Sequence, residues 1–212
     1  MPFLLEISPA AGVRAGIWRI TETAEELLAK VLLNASETTL YASFKHELRK
    51  RQWLAYRVLL KHLLAPLGTE LSYDPNGKPF LDSLSHHISV SHAGEFAAVA
   101  VSDHAAVGVD IEIIKERIER VRERFLQKTE MESLASENRL EQLYVYWGGK
   151  EALYKIHGEP AIDFRNDIYI HPFDYLCNTN QYCKAELTVN GMQKDYTLYF
   201  KKTEDFMLVL AF

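Results

Sequence analysis

The sequence lacks the features that mark several classes of protein. It has only two cysteines among 212 residues, Cys177 and Cys183. Zinc sites need more thiols or a histidine cluster, so this pair predicts reduced cysteines without a metal. No apolar run approaches the roughly 18 residues of a membrane-spanning helix, and the N-terminus lacks the charged start and long apolar stretch of a signal peptide. We therefore expect a cytoplasmic protein without a membrane partner.

Positive charge is also in short supply. The chain has 24 Lys and Arg against 29 Asp and Glu, a formal net charge of −5. Because nucleic-acid binding needs a cationic face that displaces counterions from phosphates, this balance argues against a nucleic-acid partner and leaves room only for a local basic pocket. Linkers rich in Pro, Gly or Ser, low-complexity tracts and repeated motifs are absent from the sequence as well. Hydrophobic residues make up 48% of the chain, enough for one core or two smaller ones.

Helices are predicted in two places. The Thr23–Glu26 capping-box spacing predicts a short amphipathic helix from Ala24 to Leu33, and leucines near helical spacing predict a longer one from about Phe44 to Ala65, before Pro66 and Gly68. A charged helical stretch runs from Lys115 and ends in a strong helix, Leu140 to Ile156, which Gly158 and Pro160 terminate. The first two helices are thus separated from the last by the predicted strands.

Strands are predicted between and after these helices. LSYD and KPFL flank an Asn-Gly turn and predict a hairpin, while HISVSH, FAAVAVS and AVGVDIEI predict a sheet. KAELTV, DYTLYFKK and FMLVLAF predict three further strands, the first two joined at Asn190-Gly191. This order predicts an α+β fold of two halves meeting near Val107, with domains at residues 1–106 and 107–212.

The segment GVDIE is a candidate chemical site. On a strand, residues two apart point the same way, so Asp110 and Glu112 would present two carboxylates on one face, with Val109 and Ile111 on the other. Such a pair is costly to bury without a cation, and oxygen ligands suit Mg²⁺. The alternative is an edge strand with one solvent-exposed face.

A second candidate is WGGKEALYK on the last helix. Trp147, Glu151 and Lys155 are four residues apart and share a face, with Lys150 beside it. In the alternative interpretation, Glu151 and Lys155 form a solvated ion pair and Trp147 belongs to the core. Two glycines inside a helix weaken that alternative, because each costs about 0.5 to 1 kcal/mol against Ala and must be offset by packing or a ligand.

Two weaker candidates precede these motifs. NGKPFL places Lys78 at the head of a strand, and SVSH places Ser91 and His92 at a strand end, where a hydroxyl and an imidazole can donate to phosphate oxygens. Taken separately, the first is only a hairpin, and a Ser-His pair is more often structural.

Taken together, the segments RQWLAYR, GKPFL, SVSH, GVDIE and WGGKEALYK resemble, in order and spacing, the motifs of one family. It is the 4'-phosphopantetheinyl transferase superfamily, in its longer, surfactin-synthetase-activating (Sfp-like) type, and the resemblance covers roughly residues 45–158. Two positions depart from the pattern: Tyr56 stands where Gly is frequent, and KIHGEP replaces a second glycine after the last lysine.

The resemblance implies two similar α+β halves, a pseudo-dimer with the active site in the cleft between them, which a monomer could build. It implies an enzyme that transfers the 4'-phosphopantetheine group of coenzyme A to a serine of an apo acyl or peptidyl carrier protein, releasing 3',5'-ADP. The carrier supplies the attacking serine, so this chain needs no activated nucleophile of its own.

The resemblance also implies roles for individual residues. Asp110, Glu112 and Glu151 would hold Mg²⁺ together with the diphosphate of coenzyme A, and Glu151 is also the candidate base; its two roles are not separable from sequence. Lys150 and Lys155 would face phosphate oxygens and neutralise charge on the leaving group.

Other residues would hold the cofactor. Lys78, Ser91 and His92 would contact its adenosine and phosphate side. Arg51 would bind the 3'-phosphate through its forked donors, with Arg49 and Arg57 as alternatives on the same helix.

Two questions stay open at this point. Carrier proteins are typically acidic, and Arg117, Arg120 and Phe125 either contact the carrier or belong to a solvated, salt-bridged helix. The rival functions are a Mg²⁺-dependent phosphohydrolase that uses water in place of the serine, and a catalytically silent relative that only binds coenzyme A or a carrier.

Overall fold

The structure is a computed structural model that describes residues 3–65, 70–81, 85–159, 162–177 and 179–212. In chain order its elements are β1 (Phe3–Ala10), β2 (Val13–Arg19), α1 (Ala24–Leu28), α2 (Ala35–Ser43), α3 (Glu47–Leu64), β3 (Leu71–Tyr73), β4 (Pro79–Leu81), β5 (His87–Ala93), β6 (Phe96–Ser102), β7 (Gly108–Glu112), α4 (Lys128–Glu132), α5 (Arg139–His157), β8 (Ile168–Ile170), β9 (Gln181–Val189), β10 (Met192–Lys202) and β11 (Met207–Ala211). Two 3₁₀ turns, Glu116–Arg120 and Arg122–Arg124, lie between β7 and α4.

The described strands form three antiparallel sheets, which confirms the predicted α+β class. A four-stranded sheet has the order β1-β2-β6-β5, a five-stranded sheet has the order β7-β11-β10-β9-β8, and among the described strands β3 pairs with β4 alone. The four-stranded sheet ends at Ser102 and the five-stranded sheet begins at Gly108. The division into domains at 106/107 stays a prediction.

Most predicted elements are present with slightly different bounds. The helix predicted over 44–65 is α3, the strong helix predicted over 140–156 is α5, and the hairpins at Gly77 and Asn190-Gly191 form with positive φ at these residues. An Asn-Gly pair with two positive φ angles matches the twist of the strands that it joins. The expected stop signals Pro66, Gly68 and Pro160 lie outside the described residues.

The first helix and three strands depart from the prediction. The capping box of Thr23 and Glu26 forms, but α1 ends at Leu28, and Leu32 is almost fully exposed at 99%. The chain begins with the unpredicted hairpin β1–β2, which supplies half of the first sheet, and it also contains the unpredicted α2 and β8. The signal for α2 was available, because Asn34 and Glu37 form a second capping box.

Apolar side chains form three clusters. One packs the four-stranded sheet against α1 and α3, around Trp53. Another packs the five-stranded sheet against α5, around Leu153. The third contains residues of both sheets, such as Ile17 and Leu208, and packs the sheets against each other. The fold is therefore held together across the boundary between the sheets by apolar burial.

Side-chain hydroxyls join the edge strands β5 and β7, which stand side by side. The hydroxyl of Ser89 accepts a hydrogen bond from the backbone N–H of Val109 at 3.1 Å, and the hydroxyl of Ser91 accepts one from Ile111 at 3.3 Å. Alternate side chains of β5 thus satisfy alternate amides of β7, as the period of two in a strand allows. We call this line of contact the seam.

Glycines let α5 approach β7 at the seam. A Cβ atom on Gly108 would lie 2.0 Å from the carbonyl oxygen of Ala152, which is backbone and cannot give way. A Cβ on Gly148 would lie 2.8 Å from the side chain of Val209 and 3.4 Å from Oδ2 of Asp110. Close packing onto the sheet therefore offsets the cost of glycine in the helix, as the sequence required.

Candidate active site

The candidate site lies at the seam, beneath α5, where Asp110 meets Lys155 and Ser91. Oδ1 of Asp110 accepts hydrogen bonds from the ammonium of Lys155 at 2.8 Å and from the hydroxyl of Ser91 at 2.9 Å. Lys155 also donates to the carbonyl of Val109 and to the hydroxyl of Ser91. Residues from β5, β7 and α5 therefore converge on one buried carboxylate.

Glu112 lies next to Asp110 on the same face of β7, as predicted, while Val109 and Ile111 are buried in the cluster between the sheets. Its carboxylate accepts a hydrogen bond from the indole N–H of Trp147 at 3.0 Å. Burial and the charge of Asp110 raise the pKa of Glu112, and the indole donor opposes that shift. Loss of hydration is the larger cause of the raised pKa, and the like charge on the same face adds to it.

Glu151 faces the same two carboxylates from α5. Burial, followed by the charge of Asp110, raises the pKa of Glu151 to about 7, with Glu112 adding to the shift and Lys155 opposing it. The charges of Asp110 and Glu112 on β7 therefore act on Glu151 on α5, although the strand and the helix are far apart in the chain. The role of these three residues as metal ligands stays a prediction.

One oxygen of Asp110 lacks a hydrogen-bond donor in the part of the chain that the structure describes. Oδ2 of Asp110 is buried and is without a hydrogen-bond partner among the described residues. In the described parts of the chain, no three His, Cys, Asp or Glu side chains are grouped closely enough to hold a metal ion. A buried carboxylate oxygen without a donor, beside two carboxylates of raised pKa, nevertheless has the chemistry that suits a hard cation such as Mg²⁺.

His92 follows Ser91 on β5 and lies against α3. Its Nε2 contacts the guanidinium of Arg49. Desolvation, then the charge of Arg49, lowers the pKa of His92, and Lys155 adds to the shift. Arg49 and Lys155 form a positive flank beside Asp110, and the lowered pKa favours a neutral imidazole at His92.

The three arginines of α3 lie in different places. Arg51 donates to the carbonyl of Ile20 at 2.9 Å and its Nε is buried, so its guanidinium is turned toward the end of β2. Arg57 is buried with Glu37. Of the three, the structure brings Arg49 to the positive flank; which of them binds the 3'-phosphate stays a prediction.

Lys78 reaches the site from the hairpin β3–β4. Its ammonium donates to the carbonyl of Ile156 at 3.0 Å, and the side-chain amide of Asn76 donates to the carbonyl of Gly158 at 3.1 Å. Burial lowers the pKa of Lys78. A cavity of about 240 Å³ lies between this hairpin, β5 and the end of α5, and Lys155 lines it together with Lys78.

Lys150 is not brought to the site, which corrects its predicted role. It is fully buried and forms an ion pair with Glu130 at 2.9 Å. It also donates to the carbonyls of Phe164 and Ile168 at 2.9 and 2.7 Å. An ammonium has three donors, and all three are used inside the core, so Lys150 cannot face phosphate oxygens in this arrangement.

Other cavities border the site or lie apart from it. One of about 350 Å³ beside Glu112 is lined by Trp147, Tyr144 and the 3₁₀ segment with Arg117 and Arg120. A larger one, of about 690 Å³, lies at the β8–β9 edge and is lined by none of the described motif residues. The chemistry therefore favours the seam over the larger cavity. Among the described residues, no helix has both the length and the apolar character of a membrane span.

Comparison with known proteins gives a consistent result. Residues 106–201 match the model of the 4'-phosphopantetheinyl transferase superfamily. The 4'-phosphopantetheinyl transferase AcpT of Escherichia coli K12 is 35% identical over 122 residues, which cover 53% of this chain and 60% of AcpT. The AcpT of Salmonella typhi is 34% identical over 128 residues, covering 58% and 66%. The 4'-phosphopantetheinyl transferase psf-1 of Bacillus pumilus is 32% identical over 126 residues, covering 55% and 54%.

The chain thus spans slightly more than half to two thirds of the length of these curated relatives. The stretch matched by the family model contains the acidic pair on β7 and all of α5, two of the three elements that form the site. Over residues 106–201, the predicted resemblance of this chain to the 4'-phosphopantetheinyl transferase superfamily is therefore confirmed.

Proposed function

We propose that the protein transfers the 4'-phosphopantetheine group of coenzyme A to a serine hydroxyl of an apo acyl or peptidyl carrier protein, releasing 3',5'-ADP. The observation that carries this proposal is the buried carboxylate of Asp110, which binds Lys155 through one oxygen while its other oxygen has no hydrogen-bond partner among the described residues. Glu112 lies on the same face of β7, and the charges of both act on Glu151. The similarity to named transferases covers this same stretch. The protein acts as a monomer in the cytoplasm in this proposal.

Asp110, Glu112 and Glu151 would hold Mg²⁺, which supplies positive charge to the diphosphate of coenzyme A when bound. Trp147 orients the carboxylate of Glu112 through its indole N–H. Lys155 donates to Asp110, Ser91 and Val109 but is partly exposed, unlike Lys150, so its ammonium would add a second positive charge beside the phosphates from its present position. These contacts support a site for a diphosphate.

The transfer step needs one proton acceptor. The serine oxygen of the carrier attacks the phosphorus that bears pantetheine, the bond from that phosphorus to the bridging oxygen breaks, and 3',5'-ADP leaves with the electron pair. The serine proton passes to Glu151, whose carboxylate faces the other two from α5. Lys155 neutralises the charge that develops on the leaving group.

The rest of coenzyme A would lie along the positive flank and the hairpin. Arg49 and His92 are placed for the 3'-phosphate, because the guanidinium offers forked donors. Lys78 and the neighbouring cavity of about 240 Å³ are suited to the adenosine. Arg117 and Arg120, on the rim of the cavity beside Glu112, would meet an acidic carrier.

The two-domain division at 106/107, with two similar halves, is part of the proposal. Each large sheet packs on one long helix, α3 or α5. Each long helix buries a cation that pairs with a glutamate 20 residues earlier in the chain: Arg57 with Glu37, and Lys150 with Glu130. Both glutamates occupy the N3 position of a short helix with a capping box. The recurrence supports a pseudo-dimer with a cleft at the seam.

The test is to incubate the protein with coenzyme A, Mg²⁺ and a panel of apo carrier proteins, and to weigh the carriers by mass spectrometry. Transfer adds one phosphopantetheine group to a carrier, and a carrier with its serine changed to alanine stays unmodified. Release of 3',5'-ADP without carrier modification would instead indicate a phosphohydrolase, and binding of coenzyme A without either product would indicate a silent relative.

The residue assignments have their own test. Glu151→Gln is expected to abolish transfer while coenzyme A still binds, because the base and one negative charge are lost but the phosphate contacts remain. Glu141→Gln, in the first turn of the same helix, is the control and should keep full activity. Chelation with EDTA should stop transfer, and added Mg²⁺ should restore it.

A further inference from the structure

The hairpin β3–β4 is too small to hold its own position. Its two strands have three residues each and pair with no other described strand. A two-stranded hairpin is marginally stable in water, so contacts with the rest of the protein must place it. Leu71 and Leu81 anchor its base in the cluster around α3. Its turn reaches the end of α5 through Asn76 and Lys78.

Arg57 on α3 is the centre of a second set of contacts with this hairpin. Its guanidinium lies over the ring of Trp53, 3.2 Å from the centroid, and is ion-paired with Glu37 at 2.8 Å. It also donates to the hydroxyls of Tyr56, on the same helix, and of Tyr73, at the end of β3. The two hydroxyls are themselves 2.8 Å apart.

Tyr73 connects this network to the turn. It pairs directly with Pro79, the residue that follows Lys78. The turn between them is closed by Asp74, whose carboxylate accepts from the backbone N–H of Lys78 at 2.9 Å. The hydroxyl of Tyr73 therefore ties one end of a short, internally bonded turn to α3, while Lys78 at the other end touches α5.

The chemistry of the network is specific to arginine. A buried ion pair alone is weak evidence for stability, because desolvation of both charges offsets their attraction. A guanidinium has several donors in a fixed plane and can hold a carboxylate and two phenols at once, which an apolar side chain of the same size cannot. This arrangement fits a residue whose role is to fix the location of other groups.

We infer that Arg57 is a positioning residue for coenzyme A: through Tyr73 it fixes the hairpin β3–β4, and so holds Lys78 against the end of α5 beside Lys155. This inference rests on the proposed function, in which Lys78 contacts the cofactor. Arg57 itself is buried and does not line the cavity beside Lys78. Its ion-pair partner is Glu37, which is not one of the candidate metal ligands.

Tyr73→Phe tests the inference, because it removes only the hydroxyl that ties the hairpin and keeps the ring. The KM for coenzyme A is expected to rise about tenfold, the effect of losing a hydrogen bond to a charged group, with kcat within about twofold of the unchanged protein. Arg57→Lys should act in the same direction. Tyr146→Phe is the control, since it removes a buried hydroxyl bound to Ser133 that lies far from the hairpin in the chain.

Hydrogen exchange gives a readout that does not depend on activity. In Tyr73→Phe, the backbone amides of Asp74 and Lys78 should exchange faster, and in Tyr146→Phe they should not. Equal exchange and equal KM in the two variants, or a fall in kcat at unchanged KM, would overturn the inference. Absence of transfer by the unchanged protein would overturn the proposed function instead, and the exchange comparison would still decide whether Arg57 fixes the hairpin.

Discussion

The two long helices each bury one cation, and the two cations are held in different ways. Arg57 of α3 and its partner Glu37 keep 6% and 9% of their side chains exposed, and Arg57 is surrounded by aromatic rings and phenol hydroxyls. Lys150 of α5 and its partner Glu130 are completely buried, and Lys150 is bound otherwise only to backbone carbonyls. The Arg57 network thus bonds to the hairpin β3–β4, and the Lys150 network lies entirely inside the core around α5.

The difference follows from what each cation has to connect. Lys150 satisfies the carbonyls of Phe164 and Ile168, while Glu130 accepts the backbone N–H of Ile170, so that pair fastens β8 and the segment before it beneath the helix. Arg57 binds side chains of three elements, α2, α3 and β3. The buried cation of one long helix thus supports its own core, and that of the other contacts a neighbouring hairpin.

The largest effect is expected from Lys150→Met. It leaves Glu130 charged and unpaired in a fully buried position, which costs about 4 kcal/mol of unfolding free energy. Chemical denaturation followed by circular dichroism measures the loss. Lys128→Met removes an exposed partner of Glu132 and should change stability little. A small loss of unfolding free energy in Lys150→Met would mean that the ion pair contributes little to the stability of this core.

Arg57→Met is expected to destabilise less, by about 3 kcal/mol, because Glu37 lies near enough to solvent to regain part of its hydration. The same denaturation experiment measures it. Arg19→Met, which removes an exposed partner of Asp205, serves as the control. A larger loss of unfolding free energy in Arg57→Met than in Lys150→Met would contradict the proposed difference between the two networks.

Exchanging the two cations sharpens the contrast. Lys150→Arg places a larger, planar group where the side chain has 0% exposure. The overpacking should lower the free energy of unfolding by about 2 kcal/mol. Arg57→Lys loses the forked contacts with the two tyrosines and should cost a similar amount. Thermal and denaturant unfolding of both variants check this. Unchanged stability in either would show that its site needs only a positive charge.

The smallest effect is expected at the seam that joins the two regions. Ser89→Ala removes the acceptor of the Val109 amide and should cost about 1 kcal/mol, with faster hydrogen exchange at Val109. Ser43→Ala, whose hydroxyl is exposed and bonded only within α2, is the control. Unchanged exchange at Val109 would indicate that apolar packing alone fixes the seam.

Much of the fold could be predicted from local patterns. The helices α3 and α5, the strands of the GVDIE and SVSH segments and the two Asn-Gly hairpins follow from periodicity and turn chemistry, which act over a few residues. The hairpin β1–β2 and the strand β8 were not predicted, because strands owe much of their stability to pairing with segments distant in the chain, as β2 does with β6.

For the candidate site, the amino-acid sequence by itself determined the chemical groups: carboxylates two apart on a strand, and Glu151 and Lys155 on one helical face. Only the tertiary structure decided which neighbours face the site. Successive helical residues differ by about 100° in direction, so Arg49 and Arg51 diverge, and Lys150 turns into the core while Glu151 does not. That rotation is set by the surface on which each helix packs, and long-range packing is not encoded in local spacing.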